Sequence, residues 1–172
     1  MQNIRRIQLI FRKADSVKFI GKAIAWWTAP FLYKFNGKWK CGFSHCELYF
    51  PSEKRMFSAS SYENKVRWKP KYHVSSDSWV IGETYTVDKE TYDEVISECN
   101  SLEGAKYDYA GVAGFVWSEI KQNKSKWFCS EVCAHIIKKH KLDGRLAGAV
   151  PSKLSPVSLA LVINVPVYKE CT

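Results

Sequence analysis

Two short segments of this chain hold side chains able to do nucleophilic chemistry. The first is Ser44-His45-Cys46-Glu47-Leu48 and the second is Trp127-Phe128-Cys129-Ser130-Glu131-Val132-Cys133. On an extended strand alternate residues share a face, so His45 and Glu47 project together while Cys46 and Leu48 point the other way. A carboxylate beside an imidazole fixes its tautomer and stabilises the imidazolium. Cys129 falls at the expected start of a helix, where the backbone dipole and the free N–H groups favour thiolate over thiol. The same N–H groups can stabilise an oxyanion. Cys129 as nucleophile, His45 as the base that takes its proton and Glu47 as the orienter are therefore the parts of a thiol site. The requirement is that the strand and the helix start meet in space. Taken singly, each segment has a plainer reading: a structural or solvated His–Glu pair, and a small core cysteine on an apolar stripe.

The elements that must position these residues can be read from periodicity. A strand is expected from Ile4 to Phe11, then a helix capped by Asp15 or Ser16, carrying Val17, Phe19, Ile20, Ala23, Ile24 and Trp27 and stopping before Pro30. Residues 34–42 read as a loop. Strands follow at Phe43–Phe50, Met56–Ser60, Lys65–Lys69 and Trp79–Val87, a spacing that suggests an antiparallel meander. Asp88 opens a helix through Tyr92, Val95, Ile96, Cys99 and Leu102, with Gly104 at its end. Residues 109–120 suggest another short helix. The Cys129 helix runs through Val132, Cys133, Ile136 and Ile137 into the basic cluster Lys138–Lys141, which suits the negative end of the helix dipole. Ser155-Pro156 caps a last short helix. Strands followed by helices, with no repeat and no linker, predict one α+β domain over residues 1–172 with helices packed on an antiparallel sheet.

The chain has 172 residues, enough to bury a core without disulfide or metal staples. Lysine and arginine total 26 against 17 acids, a formal charge of +9. Such a balance suits an anionic partner, but here the charges are spread along the chain and part of them is the helix-end cluster, so nucleic acid is not the expected partner. Among the six cysteines, Cys46 and Cys133 are expected to face the core, Cys99 lies on a helix stripe, and Cys41 and Cys171 have no assigned role. No secretory signal and no apolar run of membrane-spanning length is visible. The expectation is a reducing cytoplasm with free thiols.

The two segments together resemble the permuted papain-like families related to NlpC-type amidases, in particular the YiiX/YaeF-like group and its phage-encoded relatives. The histidine strand precedes the cysteine helix in both. The resemblance includes Ala25-Trp26-Trp27-Thr28, Ser44-His45-x-Glu47-Leu48, Phe57-Ser58-Ala59-Ser60 with Val66-Arg67-Trp68-Lys69, Tyr107-Asp108-Tyr109-x-Gly111, Trp127-Phe128-Cys129-Ser130-Glu131 and Leu154-Ser155-Pro156. It implies a permuted papain-like fold and a cysteine hydrolase, a peptidase or amidase working through an acyl-enzyme. Cys129 and His45 carry over directly. The third polar residue differs among relatives, so Glu47 is the choice, with Ser58 or Ser60 as alternatives. Tyr107, Trp127 and Ser130 would contact a peptide, amide or acyl substrate. No cofactor is implied, and the cytoplasm would be a host's if the gene is a phage's.

Other classes remain in play. Cys41, His45, Cys46, Cys129 and Cys133 are soft ligands enough for zinc, but His45 and Cys46 diverge on a strand, so no metal is expected. Seven tryptophans and nine tyrosines among lysines can stack on single-stranded bases, and a catalytically inactive fold can serve as a binding protein for a host partner. A lipid-directed acyltransferase or thioesterase, similar to the lecithin:retinol acyltransferase group, is the alternative enzyme. The Ile24–Trp27 patch and the positive charge would let it associate with a membrane surface.

Overall fold

The structure is a computed structural model that describes residues 3–13, 34–35, 38–39, 42–70, 78–109 and 125–165. The expected helix ahead of Pro30, the Ile24–Trp27 patch, Gly111, and Cys41 and Cys171 all lie outside the described residues. So does the expected helix over 109–120, apart from Tyr109.

The strands are β1 (Arg5–Lys13), β2 (Lys34–Phe35), β3 (Lys38–Trp39), β4 (Phe43–Phe50), β5 (Arg55–Ser60), β6 (Lys65–Pro70), β7 (Trp79–Val87), β8 (Lys106–Tyr107) and β9 (Lys126–Trp127). The helices among the described residues are α1 (Lys89–Leu102), α2 (Cys129–Lys139) and α3 (Pro156–Val162). Among the described residues, seven strands form one sheet in the order β7-β1-β4-β5-β6-β8-β9. The α+β class is as expected, but the sheet is mixed, because β8 and β9 pair in parallel. β7 also leaves the meander to pair with β1 on the far side of β4. Within the stretch read as a loop, β2 and β3 pair as a short antiparallel hairpin.

Alternation along the strands divides the core. Ile7, Leu9 and Phe11 of β1 and Cys46, Leu48 and Phe50 of β4 face the helices, packed against Tyr92, Val95 and Cys99 of α1 and Val132, Cys133, Ile136 and Ile137 of α2. The opposite face carries a smaller cluster of Ile10, Tyr49 and Met56, against which Trp79 packs. Gly82 is required where it stands: a Cβ there would lie 2.5 Å from the Phe11 ring. Asp88 caps α1 by accepting from the Thr91 N–H at 2.8 Å, and Gly104, at φ +85°, turns the chain so that its N–H donates to the Val66 carbonyl. Ser155 caps α3 by accepting from the Ser158 N–H at 3.0 Å.

The sheet is irregular beside the histidine-bearing half of β4. This strand pairs with β1 from Phe43 to Tyr49, but with β5 only at Leu48, Tyr49 and Phe50. β5 instead continues with β6 through Ser60. The half of β4 that carries His45, Cys46 and Glu47 therefore has no paired strand on its β5 side among the described residues. Backbone groups left open in this way need partners other than a neighbouring strand, and α2 packs against both β4 and β5.

Candidate active site

Where the two strands part, Ser58 Oγ donates to the Cys46 carbonyl at 2.8 Å. It takes the place of the missing ladder bond. The amide of Cys46 points to the same side of the strand, and it donates to the sulfur of Cys129. The break in the ladder thus makes room for a helix start and supplies a donor to the side chain that begins it.

Cys129 is the first residue of α2 and is 4% exposed. Among the described residues no N-cap side chain accepts from this helix start; the Glu131 carboxylate accepts instead from the Phe128 N–H, half of a capping box. The Cys129 thiol is held well below the ordinary cysteine range. A hydrogen bond donated by the Cys46 thiol is the largest cause. Burial opposes it, and the His45 imidazolium and the Cys46 amide add to the stabilisation of the thiolate. The helix start favours the same charge.

His45 is the thiolate's counter-ion. Its Nε2 donates to Glu47 Oε1 at 2.9 Å, which leaves Nδ1 as the ring nitrogen for the sulfur. Burial disfavours the imidazolium, but the charge of Cys129 and its hydrogen bond, followed by Glu47, outweigh burial and raise His45 from 6.5 to about 9. The edge of Trp79 stands against the imidazole, with ring centroids 6.2 Å apart.

Glu47 is fully buried and its Oε1 collects three donors. Besides His45 these are Lys69 Nζ at 2.8 Å and Arg67 Nη2 at 3.3 Å. Burial alone would raise this carboxyl; the hydrogen bond and charge of His45, then Lys69 and Arg67, bring it down to about 2. Arg67 is itself fixed by Glu63 at 3.1 Å and by the Ser58 carbonyl at 3.4 Å. Arg67 and Lys69 lie two apart on β6 and so share a face. Neither has this part in the reading from sequence. Their alternation was the available signal, but the partner across the sheet could not be read without the register.

The structure thus brings His45, Glu47 and Cys129 together. Ser58 and Ser60, the alternatives to Glu47, are engaged elsewhere: Ser58 with the Cys46 carbonyl, and Ser60 Oγ as acceptor of the Glu63 N–H at 3.3 Å. Tyr107 is buried near the thiolate; burial and then the charge of Cys129 push its hydroxyl well above the usual range. The other residues expected to contact substrate stand differently. Ser130 is fully buried and its Oγ donates to the Leu154 carbonyl at 2.6 Å, a tie between α2 and the segment leading into α3. The Trp127 ring lies on His135 of α2, with centroids 5.0 Å apart.

A second acidic feature adjoins the site. Both carboxylate oxygens of Asp108 are buried and take no hydrogen bond among the described residues, and Oε2 of Glu131 is likewise unpaired. Burial, with the charge of Asp108 added, raises Glu131 to about 7. No group of three or more His, Cys, Asp or Glu among the described residues is arranged to hold a metal ion, and no described helix is long and apolar enough to cross a membrane. No family model, curated protein or solved structure matches this chain.

Proposed function

We propose that this protein is a thiol hydrolase, a peptidase or amidase of the permuted papain-like kind, acting through an acyl-enzyme on Cys129. The observation that carries the reading is the Cys129–His45–Glu47 chain, buried at Cys129 and Glu47 and partly exposed at His45, in which the thiolate and the imidazolium stabilise each other and the carboxylate orients the ring. A structural cysteine in a core is inert and neutral. This one is instead surrounded by donors and a cation.

The chemistry follows from the positions of the groups. The Cys129 thiolate attacks a carbonyl carbon, and the backbone N–H groups at the start of α2 stabilise the oxyanion that forms. The His45 imidazolium donates its proton to the departing amine or alcohol as the carbonyl–leaving-group bond breaks. An acyl thioester remains. The neutral imidazole then takes a proton from water, the hydroxide adds to the thioester, and Cys129 leaves as the thiolate with the imidazolium restored. Glu47 stays ionised throughout and holds Nε2–H, while Arg67 and Lys69 hold Glu47.

The test is incubation with a panel of activated esters, thioesters and aminoacyl amides, followed by intact-mass measurement after acid quench. An acyl adduct should appear on wild-type protein, map to Cys129 and be absent from Cys129→Ala. Turnover of no member of the panel, with no adduct on Cys129, would count against the reading.

A further inference from the structure

The proposed hydrolysis needs one thiol, yet the fold places others against it. Cys46 follows the histidine on β4, so its side chain points to the helix side of the sheet, where α2 lies. Its thiol sits in the core shared by β4 and α2, close enough to interact with the sulfur of Cys129, to which it donates, and with that of Cys133, one turn further along α2. All three are free cysteines buried in the same core. Alanine or valine would fill such a core position, and a serine would serve equally as a donor to the thiolate. What only cysteine adds at this contact is the capacity to form a bond to sulfur.

We infer that Cys46 is a resolving cysteine, which closes a reversible Cys46–Cys129 disulfide after Cys129 has been oxidised by a hydroperoxide. The inference rests on Cys129 being the reactive thiolate of the proposed function. In the first step the thiolate attacks one oxygen of hydrogen peroxide, an S–O bond forms and the O–O bond breaks. Sulfur loses two electrons to the peroxide, and the departing hydroxide takes the His45 proton to become water. In the second step the Cys46 sulfur attacks the sulfenic sulfur. The S–S bond forms, the S–O bond breaks, and the hydroxide leaves as water with the Cys46 proton. Two thiols and one peroxide give one disulfide and two waters. A dithiol restores the site by exchange.

The surroundings favour this order of events. Burial, and then the thiolate beside it, keep Cys46 protonated in the reduced site, so it does not compete as a nucleophile. Once Cys129 is a neutral sulfenic acid that neighbouring charge is gone, and the Cys46 proton is released more readily. Cys46 comes from the opposing strand, whereas Cys133 shares a helix with Cys129, so the strand cysteine is the one that can approach across the interface.

The experiment is brief treatment of the protein with a few equivalents of hydrogen peroxide, blocking with N-ethylmaleimide, and mass mapping of a non-reducing digest. The expected result is a Cys46–Cys129 linked peptide, with dithiothreitol restoring Cys129 alkylation. In Cys46→Ser and Cys46→Ala, Cys129 should proceed to sulfinic acid as peroxide is increased, with a loss of thiol recoverable by dithiothreitol that wild type does not show at the same dose. Should neither variant fold, the linked peptide in wild type decides the matter. Fast alkylation of Cys129 with no Cys46 link, or a link to Cys133 instead, would overturn this inference and leave the hydrolase reading standing. Slow alkylation and slow oxidation of Cys129 would remove both.

Discussion

Replacing Glu47 by glutamine keeps the shape of the site and removes one charge, so it isolates what the carboxylate does. His45 is lifted from 6.5 to about 9, which is about 3 kcal/mol in favour of the imidazolium at ~1.4 kcal/mol per tenfold. Cys129 supplies the larger part of that and Glu47 the smaller. Removing Glu47's share therefore lowers His45, and each ~1 kcal/mol lost is about 0.7 of a pH unit. A loss of that size takes the protonated fraction at pH 9 from about a half to about a sixth, a roughly threefold fall, while at pH 6–7 it barely changes. The assay is a nitrogen-15 NMR titration of the histidine rings, with the His45 signals assigned by their loss in His45→Ala. Iodoacetate alkylation of Cys129 provides a second readout, since that anionic reagent is drawn to the imidazolium. The acid limb of stability should change as well. Glu47 is held at about 2 against an ordinary 4.5; it stabilises the fold above pH 4.5 and loses this as the pH falls towards 2, by about 3 kcal/mol in total. Glu47→Gln should lack that part of the acid slope. A His45 titration unchanged in Glu47→Gln would refute the claim that the carboxylate sustains the imidazolium.

Three further outcomes are expected. Ser58→Ala leaves the buried Cys46 carbonyl without its donor, and should cost about 1–3 kcal/mol in chemical denaturation; a change under a few tenths would mean that the strand gap is closed some other way. Glu131, raised to about 7 mainly by burial, contributes its stability below pH 4.5 and loses it as the pH rises through 7. Glu131→Gln should therefore gain about 2–3 kcal/mol over wild type at pH 8, the full shift reduced a little by the residue's partial exposure, and nothing at pH 4; denaturation showing the same difference at both pH values would contradict this. Lys69→Met removes a cation 2.8 Å from Glu47, so the acid limb attributed to Glu47 should move to higher pH; acid titration followed by circular dichroism would reveal an unmoved limb if Lys69 plays no part.

The strands and helices that carry the site were readable because each has a clean local signal. His45 and Glu47 sit two apart on an alternating strand, and Cys129 opens a 3.6-residue apolar stripe. What could not be read was set by register. The loss of the β4–β5 ladder beyond Leu48 depends on how two strands pair, and no residue in either announces it. That gap places the Cys46 amide on Cys129 and calls on Ser58 to satisfy the Cys46 carbonyl. The part that Arg67 and Lys69 play depends on the sheet order, which brings their face of β6 to Glu47. The tie made by Ser130 was also out of view: it stands next to Cys129 in sequence, but one residue along a helix is a turn of about 100°, which carries its hydroxyl to the Leu154 carbonyl. The parallel pairing of β8 with β9 was equally invisible, since strands this short leave no periodicity to read.

The central claim is that Cys129 is a thiolate paired with His45, and the rate of its alkylation against pH tests that claim most directly. With iodoacetamide, wild-type protein should show one fast thiol whose apparent pKa lies well below the ordinary ~8.5 of free cysteine. That thiol should be absent from Cys129→Ala, and in His45→Ala its pKa should move up towards the ordinary value. Uniform slow labelling of the cysteines, or a Cys129 profile that His45→Ala leaves unmoved, would contradict the account.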